Sequence, residues 1–124
     1  MDAPIIVEQP AFPAMKLLPT TLTLRDEIYV PTSTPYSRAN VDVLARLDAS
    51  KMDLKVADLH RTDNDFPVAW VKNYGRGRVF YSTLGHLDTS WDDPRIQRMY
   101  LEAIRWSLGL VDYTPHPHPL PAPQ

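Results

Sequence analysis

The chain has 124 residues and a formal net charge of −2, with 13 prolines and no cysteine. The length suits one domain, and the near-neutral charge provides no electrostatic footprint for nucleic acid. The absence of cysteine excludes disulfides, a thiol nucleophile and cysteine-ligated metal.

The length of the apolar runs and the composition of the two ends indicate how the chain relates to membranes and where its folded part lies. No apolar run approaches the roughly 20 residues that a membrane-spanning helix needs. The first residues lack the basic and apolar regions of a signal peptide, so we expect a cytoplasmic location by default. Prolines concentrate near both ends of the chain, with six in the first 35 residues and five in the last ten. This distribution predicts a folded middle with irregular ends.

Short strands are predicted in the first half of the chain. Residues 5–7 are apolar, but the flanking prolines would confine such a strand to a sheet edge. Residues 21–25 alternate polar and apolar side chains, as half-buried strands do, and residues 26–30 continue this strand or start another. Residues 41–48 alternate in the same way and predict the next strand.

Two further runs predict an antiparallel hairpin. Residues 68–72 form a strand, residues 73–77 form a glycine-containing turn, and residues 78–84 form an almost continuous apolar and β-branched run. Such a run is typical of a strand that is covered on both faces. Two tryptophans, Trp70 and Trp106, are expected in the core.

A helix is predicted after the hairpin. Asp93 is a suitable N-cap, and Pro94 suits the first helical position. Apolar residues then recur at helical spacing, which predicts an amphipathic helix over residues 94–108 packed on the sheet. Gly109 fits the position just after the helix.

The tail over residues 111–124 carries proline at nearly every second position after Thr114. We expect it to be disordered, extended, polyproline-like and solvated. Its pair of histidines, His116 and His118, is too mobile for a reliable metal site. We predict neither a metal site nor a cofactor.

His86 is the sharpest chemical feature, because with Gly85 it directly follows the last predicted strand. Ligands of open α/β sheets bind beyond the carboxyl ends of strands. A histidine there can act as a general base, a metal ligand or a hydrogen-bond donor to substrate. The alternative is a loop histidine that only hydrogen-bonds the backbone.

Several acidic and aromatic residues are further candidates. Glu27 lies beside Ile28 and Tyr29 at a predicted strand, and Asp65 is either a turn residue or points into a site. Paired carboxylates perform glycoside hydrolysis, but the sequence does not give their separation. Trp91, in a polar loop, either stacks on a sugar or covers the start of the helix.

Several segments together resemble the ThuA-like (trehalose utilization) family, and their order and spacing match over residues 5–110. They are Arg25–Tyr29, Val43–Asp48, Asp65–His86, Trp91–Pro94 and Ala103–Gly109. The resemblance implies an α/β fold: the C-terminal portion of a flavodoxin-like, class I glutamine amidotransferase-like sandwich, with a β-hairpin and a C-terminal helix. The ThuA-like domain would then occupy residues 1–110.

The resemblance also implies a substrate class. It places His86 where the amidotransferase triad has its histidine, but the family lacks the cysteine nucleophile, as this chain does. It points to metabolism of trehalose and related disaccharides or keto-sugars. On this hypothesis, His86 is the acid/base or ligand, Glu27 and Asp65 are its polar partners, and Trp91, Tyr29 and Gly85 contact a small-molecule sugar.

The chain departs from the family pattern in length, since a typical member is about twice as long. We therefore expect the N-terminal half of the domain to be absent, which would expose a sheet edge. Pairing with that half or with a second copy would cover this edge. The alternatives are a non-catalytic carbohydrate-binding or interaction module and an inactive fragment.

Overall fold

A computed structural model of the chain describes residues 1–122 and contains a mixed α/β fold of five strands and two helices. Two short 3-10 turns, at Pro13–Met15 and Ala49–Lys51, lie in the connections. In chain order the elements are β1 (Asp2–Val7), β2 (Thr21–Arg25), β3 (Asp42–Leu47), β4 (Pro67–Tyr74), β5 (Gly77–Ser82), α1 (Asp88–Trp91) and α2 (Pro94–Ser107). No helix among the described residues is long and apolar enough to cross a membrane.

The five strands form one sheet in the order β2-β1-β3-β4-β5, and every neighbouring pair is antiparallel. The expected flavodoxin-like sandwich is therefore not confirmed. Parallel strands need long crossover connections, usually helical, whereas the strands here are joined by turns and irregular loops. The predicted α/β class, the β-hairpin and the C-terminal helix are present.

The first strand lies inside the sheet, between β2 and β3, so its predicted place at an edge is wrong. Pro4 is tolerated because the β1–β3 pairing starts only at Ile5. The Pro4 carbonyl accepts from Asp48 N at 2.8 Å, just where β3 has ended. In a strand, the N–H and the C=O of one residue point to the same side. The nitrogen of Pro4 therefore faces β3 at the end of the β1–β3 pairing, so that is where the N–H is missing.

The predicted hairpin of β4 and β5 is confirmed, with Tyr74 opposite Gly77 and a two-residue turn. Gly75 has φ +56°, and glycine supplies such a positive φ at no steric cost. The sequence predicted β5 to be covered on both faces. It is instead half-buried along most of its length, because it is the outermost strand of the sheet.

Helix α2 packs against β5 and the 3-10 turn at Pro13–Met15. Its predicted N-cap is confirmed, since the Asp93 carboxylate accepts from Arg95 N at 2.8 Å. The ring of Trp106 is fully buried, with the Phe12 ring packed edge-on against it at 5.3 Å. Trp70, also predicted as core, is only half-buried and stacks on Tyr81.

Two loop segments differ from expectation. Residues 26–30 form no strand; they cross the end of the sheet and reach the segment that follows β5. The proline-rich segment after α2 contains neither helix nor strand up to residue 122, but it is not wholly solvated. Tyr113 and His118 are part-buried against the sheet. Pro123 and Gln124 lie outside the described residues, and the disorder predicted for residues 111–124 stays a prediction.

Candidate functional site

The candidate site is built where the segment after β2 meets the segment after β5. Asp26, the first residue after β2, is fully buried and joins the two segments. Its carboxylate accepts hydrogen bonds from Gly85 N at 2.7 Å, Leu87 N at 3.0 Å and Ser90 Oγ at 2.8 Å. One side chain thereby fixes the backbone on both sides of His86.

Two opposing effects act on the pKa of Asp26. Burial raises this pKa, but hydrogen bonds from Gly85, Leu87, Ser90 and Glu27 outweigh burial and hold it below its ordinary value of 3.8. The carboxylate is therefore charged at neutral pH. It acts as a structural anchor, because all its hydrogen-bond partners belong to the two segments that it joins.

The positions of Glu27, Tyr29 and His86 follow from this anchor. Tyr29 Oη lies 2.9 Å from His86 Nδ1, and Glu27 Oε2 lies 3.4 Å from His86 Nε2. The backbone N–H of Tyr29 donates to Thr83 Oγ1 at 2.7 Å, which holds the tyrosine against the end of the sheet. Three residues named from the sequence thus form one cluster, which we call the Tyr–His–Glu cluster.

The geometry of the cluster assigns a role to each ring nitrogen of His86. A phenol that donates to Nδ1 leaves the proton of a neutral imidazole on Nε2, where it faces the Glu27 carboxylate. A carboxylate in that position stabilises the charged imidazolium when the ring gains a second proton. All three side chains are open to solvent, with exposed fractions of 41% for His86, 53% for Tyr29 and 60% for Glu27. The arrangement suits proton transfer to or from a bound hydroxyl group.

Trp91 lies over Gly85 and the first half of α2. Its Nε1 donates to Gly85 O at 3.0 Å, and its ring stacks on Tyr100 with the centroids 4.9 Å apart. The ring therefore covers the start of the helix, as one of the two sequence hypotheses held. It also remains 46% exposed, so stacking on a sugar stays a prediction.

Replacing Gly85 with alanine is expected to disturb this corner. Gly85 has φ +109°, and an added Cβ would lie 2.7 Å from Trp91 Cζ2. We expect a loss of about 2–3 kcal/mol in the free energy of unfolding, from backbone strain and the displaced indole. Urea denaturation followed by tryptophan fluorescence measures this loss.

Gly75→Ala is the matched control for this prediction. Gly75 also has a positive φ, +56°, but a Cβ there meets nothing within 4 Å. Its loss should be about 1 kcal/mol. Equal losses in the two variants would show that the contact with Trp91 contributes nothing.

Asp65 is not brought together with His86. Its carboxylate accepts from Tyr36 Oη at 2.9 Å and from Arg38 Nη2 at 2.8 Å, and Arg61 Nη2 lies 3.7 Å away. Arg38 also binds Glu8, at 2.8 and 2.9 Å. These five side chains form a second, largely buried group, which we call the Arg38 network.

From the sequence, Asp26 was one of several acidic candidates and was given no role, and the members of the Arg38 network other than Asp65 were not singled out. A signal for Asp26 exists, because it is the first polar residue beyond the alternating strand Thr21–Arg25. No local signal exists for Glu8, Tyr36, Arg38 and Arg61, since their partners are distant in sequence. Such residues are recognised only once the fold brings them together.

Two clefts lie away from His86. One, of about 250 Å³, lies beside β1 and β2 at Ile5 and Leu22. The other, of about 370 Å³, lies over the Arg38 network. Neither is lined by the Tyr–His–Glu cluster. Residues 1–122 contain no group of three histidine, aspartate or glutamate residues able to hold a metal ion.

The fold and the cluster together define a mixed α/β domain with an exposed histidine at one end of its sheet. The chain belongs to the ThuA family, because the family model described as trehalose utilisation matches residues 1–107. A solved structure of a ThuA-like protein from Bacteroides uniformis is similar, with 26% identity and a TM-score of 0.67.

The similarity to the Bacteroides uniformis protein covers 86% of this chain and 43% of that one. The chain thus spans less than half the length of this relative. No curated protein matches the sequence significantly. The resemblance stated from the sequence motifs is confirmed at the level of the family.

Proposed function

We propose that this chain carries the acid–base part of a site that processes trehalose or a related disaccharide or keto-sugar. The observation that supports the proposal is the hydrogen-bonded cluster of Tyr29, His86 and Glu27 at the end of the sheet. The family description, trehalose utilisation, supplies the substrate class.

In this proposal the imidazole of His86 transfers the proton. Nε2–H faces Glu27, so the basic nitrogen is Nδ1, which accepts from Tyr29 in the absence of sugar. A sugar hydroxyl replaces the Tyr29 hydroxyl at Nδ1 and donates its proton there. Glu27 stabilises the resulting imidazolium, and Tyr29 then hydrogen-bonds the sugar oxygen. Such positioned acid–base groups typically contribute 10²–10⁴-fold to a rate.

Two residues that the sequence placed in the site, Trp91 and Asp65, lie outside the Tyr–His–Glu cluster. Trp91 offers an exposed aromatic surface next to Gly85, which suits the apolar face of a sugar ring. Asp65 belongs to the Arg38 network, and its catalytic role stays a prediction that the proposal does not need.

Replacement of His86 tests the proposal. His86→Ala is expected to lower turnover of a disaccharide or keto-disaccharide by about 10²–10⁴-fold, because the proton-transferring group is lost. Product formation is measured by chromatography with trehalose and related disaccharides. Tyr29→Phe, which removes one hydroxyl, should cause a smaller loss.

His60→Ala is the control, because His60 is exposed and lies on another loop. Its turnover should equal that of the unmodified chain. Unchanged turnover in His86→Ala would contradict the assignment of His86 as acid–base group.

A carbohydrate-binding module without catalysis is the second candidate. The exposure of the cluster favours it, since all three side chains are substantially open to solvent. Calorimetry with the same disaccharides separates the candidates. Binding without turnover supports the module, and the absence of both overturns both candidates.

The position of the cluster also suits completion of the site by another surface. The strands β2 and β5 are the two outer strands of the described sheet. Pairing with a further half of the domain or with a second copy of the chain would cover one of them. Light scattering of the purified chain measures whether a second copy binds.

A further inference from the structure

The proline-rich segment after α2 packs against the start of β3. We call residues 113–120 the strap. Tyr113 Oη donates to Asp42 Oδ2 at 2.6 Å, and the backbone N–H of His116 donates to the same oxygen at 2.8 Å. His118 Nε2 lies 3.1 Å from Val43 O. Three strap residues therefore converge on the first two residues of β3.

Asp42 is the receptor for the strap, and it is fully buried. Besides the strap, its carboxylate accepts from Gln9 Nε2 at 3.0 Å. Within residues 1–122, no lysine or arginine lies within 4 Å of this carboxylate, and its cationic partner is His118, with Nε2 3.5 Å from Oδ1. The three hydrogen bonds from Tyr113, His116 and Gln9 satisfy this buried carboxylate with neutral donors. A positive charge on His118 would add an ion pair to them.

The neighbours of the His118 ring favour the protonated state. Nε2 faces Val43 O and the carboxylates of Asp42 and Glu8, while Nδ1 lies 3.0 Å from Pro119 O. All of these atoms are acceptors. A neutral imidazole has one N–H and would leave one nitrogen lone pair against an oxygen, whereas the imidazolium donates from both nitrogens.

Other charged groups near the ring do not replace His118. Glu8 Oε2 lies 3.5 Å from Nε2, but Glu8 already pairs with Arg38 at 2.8 Å and with Arg46 at 2.8 Å. The charge of Glu8 is therefore compensated without the strap. Of the two carboxylates that face His118, Asp42 is the one whose pairing depends on it.

We propose that the strap is a latch that is closed when His118 is protonated and loosened when His118 is neutral. The latch bears on the cleft over the Arg38 network, because Pro119 and Leu120 form part of the cleft wall. Protonation of one histidine thus controls access to the cleft. The latch involves neither His86 nor the Tyr–His–Glu cluster, so it stands independently of the proposed function.

Amide hydrogen exchange at His116 tests the latch, because this N–H binds Asp42 directly. Exchange is measured by NMR on the full chain at about pH 5.5 and about pH 8, on either side of the ordinary histidine titration. Each rate is divided by the intrinsic rate at the same pH to give a protection factor. In the unmodified chain we expect protection to fall about tenfold between the two values, as loss of a charged hydrogen bond implies.

Two variants complete the experiment. His118→Gln keeps a donor but not the charge, so its protection should be low at both pH values. His116→Gln is the matched control for the charge of a second strap histidine: its backbone N–H still donates to Asp42, and its ring contacts Tyr113 rather than Asp42. Its protection should still fall between the two pH values, as in the unmodified chain. Amides of the β4–β5 hairpin verify that both variants fold.

Equal protection of the His116 amide at both pH values in the unmodified chain would overturn the latch. So would a His118→Gln protein that is protected as strongly as the unmodified chain at about pH 5.5.

Discussion

Asp26→Ala is expected to lower the free energy of unfolding by about 3–4 kcal/mol, because it leaves several buried hydrogen-bond donors without an acceptor. The change removes the acceptor of Gly85 N, Leu87 N and Ser90 Oγ together. The segment that carries His86 should loosen with it, so activity should fall even in molecules that remain folded. Urea denaturation and the His86 NMR signals measure the two effects.

Asp88→Ala is the control for this prediction. Asp88 is exposed, and its carboxylate accepts from the adjacent Thr89 N. Its loss should stay below about 1 kcal/mol. A loss in Asp26→Ala no larger than that in Asp88→Ala would contradict the anchoring role.

The same residue gives stability a dependence on pH. The pKa of Asp26 lies below its ordinary value of 3.8 in the folded chain, so the folded form binds this proton less readily than the unfolded form. The stability that the charged carboxylate contributes is therefore complete above the ordinary value and is lost as pH falls through the lower folded pKa. Compared with Asp26→Asn, the unmodified chain should lose its advantage in acid and keep it at neutral pH.

Arg38→Ala is expected to lower the free energy of unfolding by about 3–5 kcal/mol, because it removes four charged hydrogen bonds to two buried carboxylates, which keep only Arg46 and Arg61 as arginine partners. Arg38 joins Glu8, on the segment after β1, to Asp65, just before β4. The side chains of Glu8 and Asp65 have exposed fractions of only 2% and 6%. Chemical denaturation measures the loss.

A conservative variant and an exposed control variant accompany this prediction. Arg38→Lys keeps the charge but cannot form the paired hydrogen bonds to both carboxylates, so its loss should be intermediate. Arg76→Ala, at the exposed hairpin turn, should stay within about 0.5 kcal/mol of the unmodified chain. An Arg38→Ala protein as stable as Arg76→Ala would show that the network contributes nothing.

The elements that could be predicted from the sequence are those with local signals. The hairpin was predicted because two β-rich runs flank a glycine turn, and α2 because Asp93 and Pro94 mark its start. The position of β1 could not be predicted, because it depends on which side of the strand the missing N–H of Pro4 faces. That is a property of pairing with β3 and leaves no trace in the local pattern.

The candidate site shows the same division. His86 was found because it follows a predicted strand, whereas Glu27 and Tyr29 were named on residues 26–30, which were predicted as strand but follow β2 in the structure. The contact of Glu27 and Tyr29 with His86 depends on Asp26. The partners of Asp26 lie about 60 residues away along the chain, from Gly85 to Ser90. That Asp65 lies in the Arg38 network could not be predicted for a related reason, since its arginine partner lies on a loop without a periodic pattern.

The two-residue turn between β4 and β5 has a consequence for the order in which the molecule folds. Closing so short a loop costs little chain entropy, and hairpins form within microseconds. The β1–β3 pairing instead joins Ile5 to Leu47, across a long intervening segment. We therefore expect the hairpin to form early and the β1–β3 pairing to form late. Substitutions in the hairpin should slow refolding, whereas those in β2 should mainly speed unfolding.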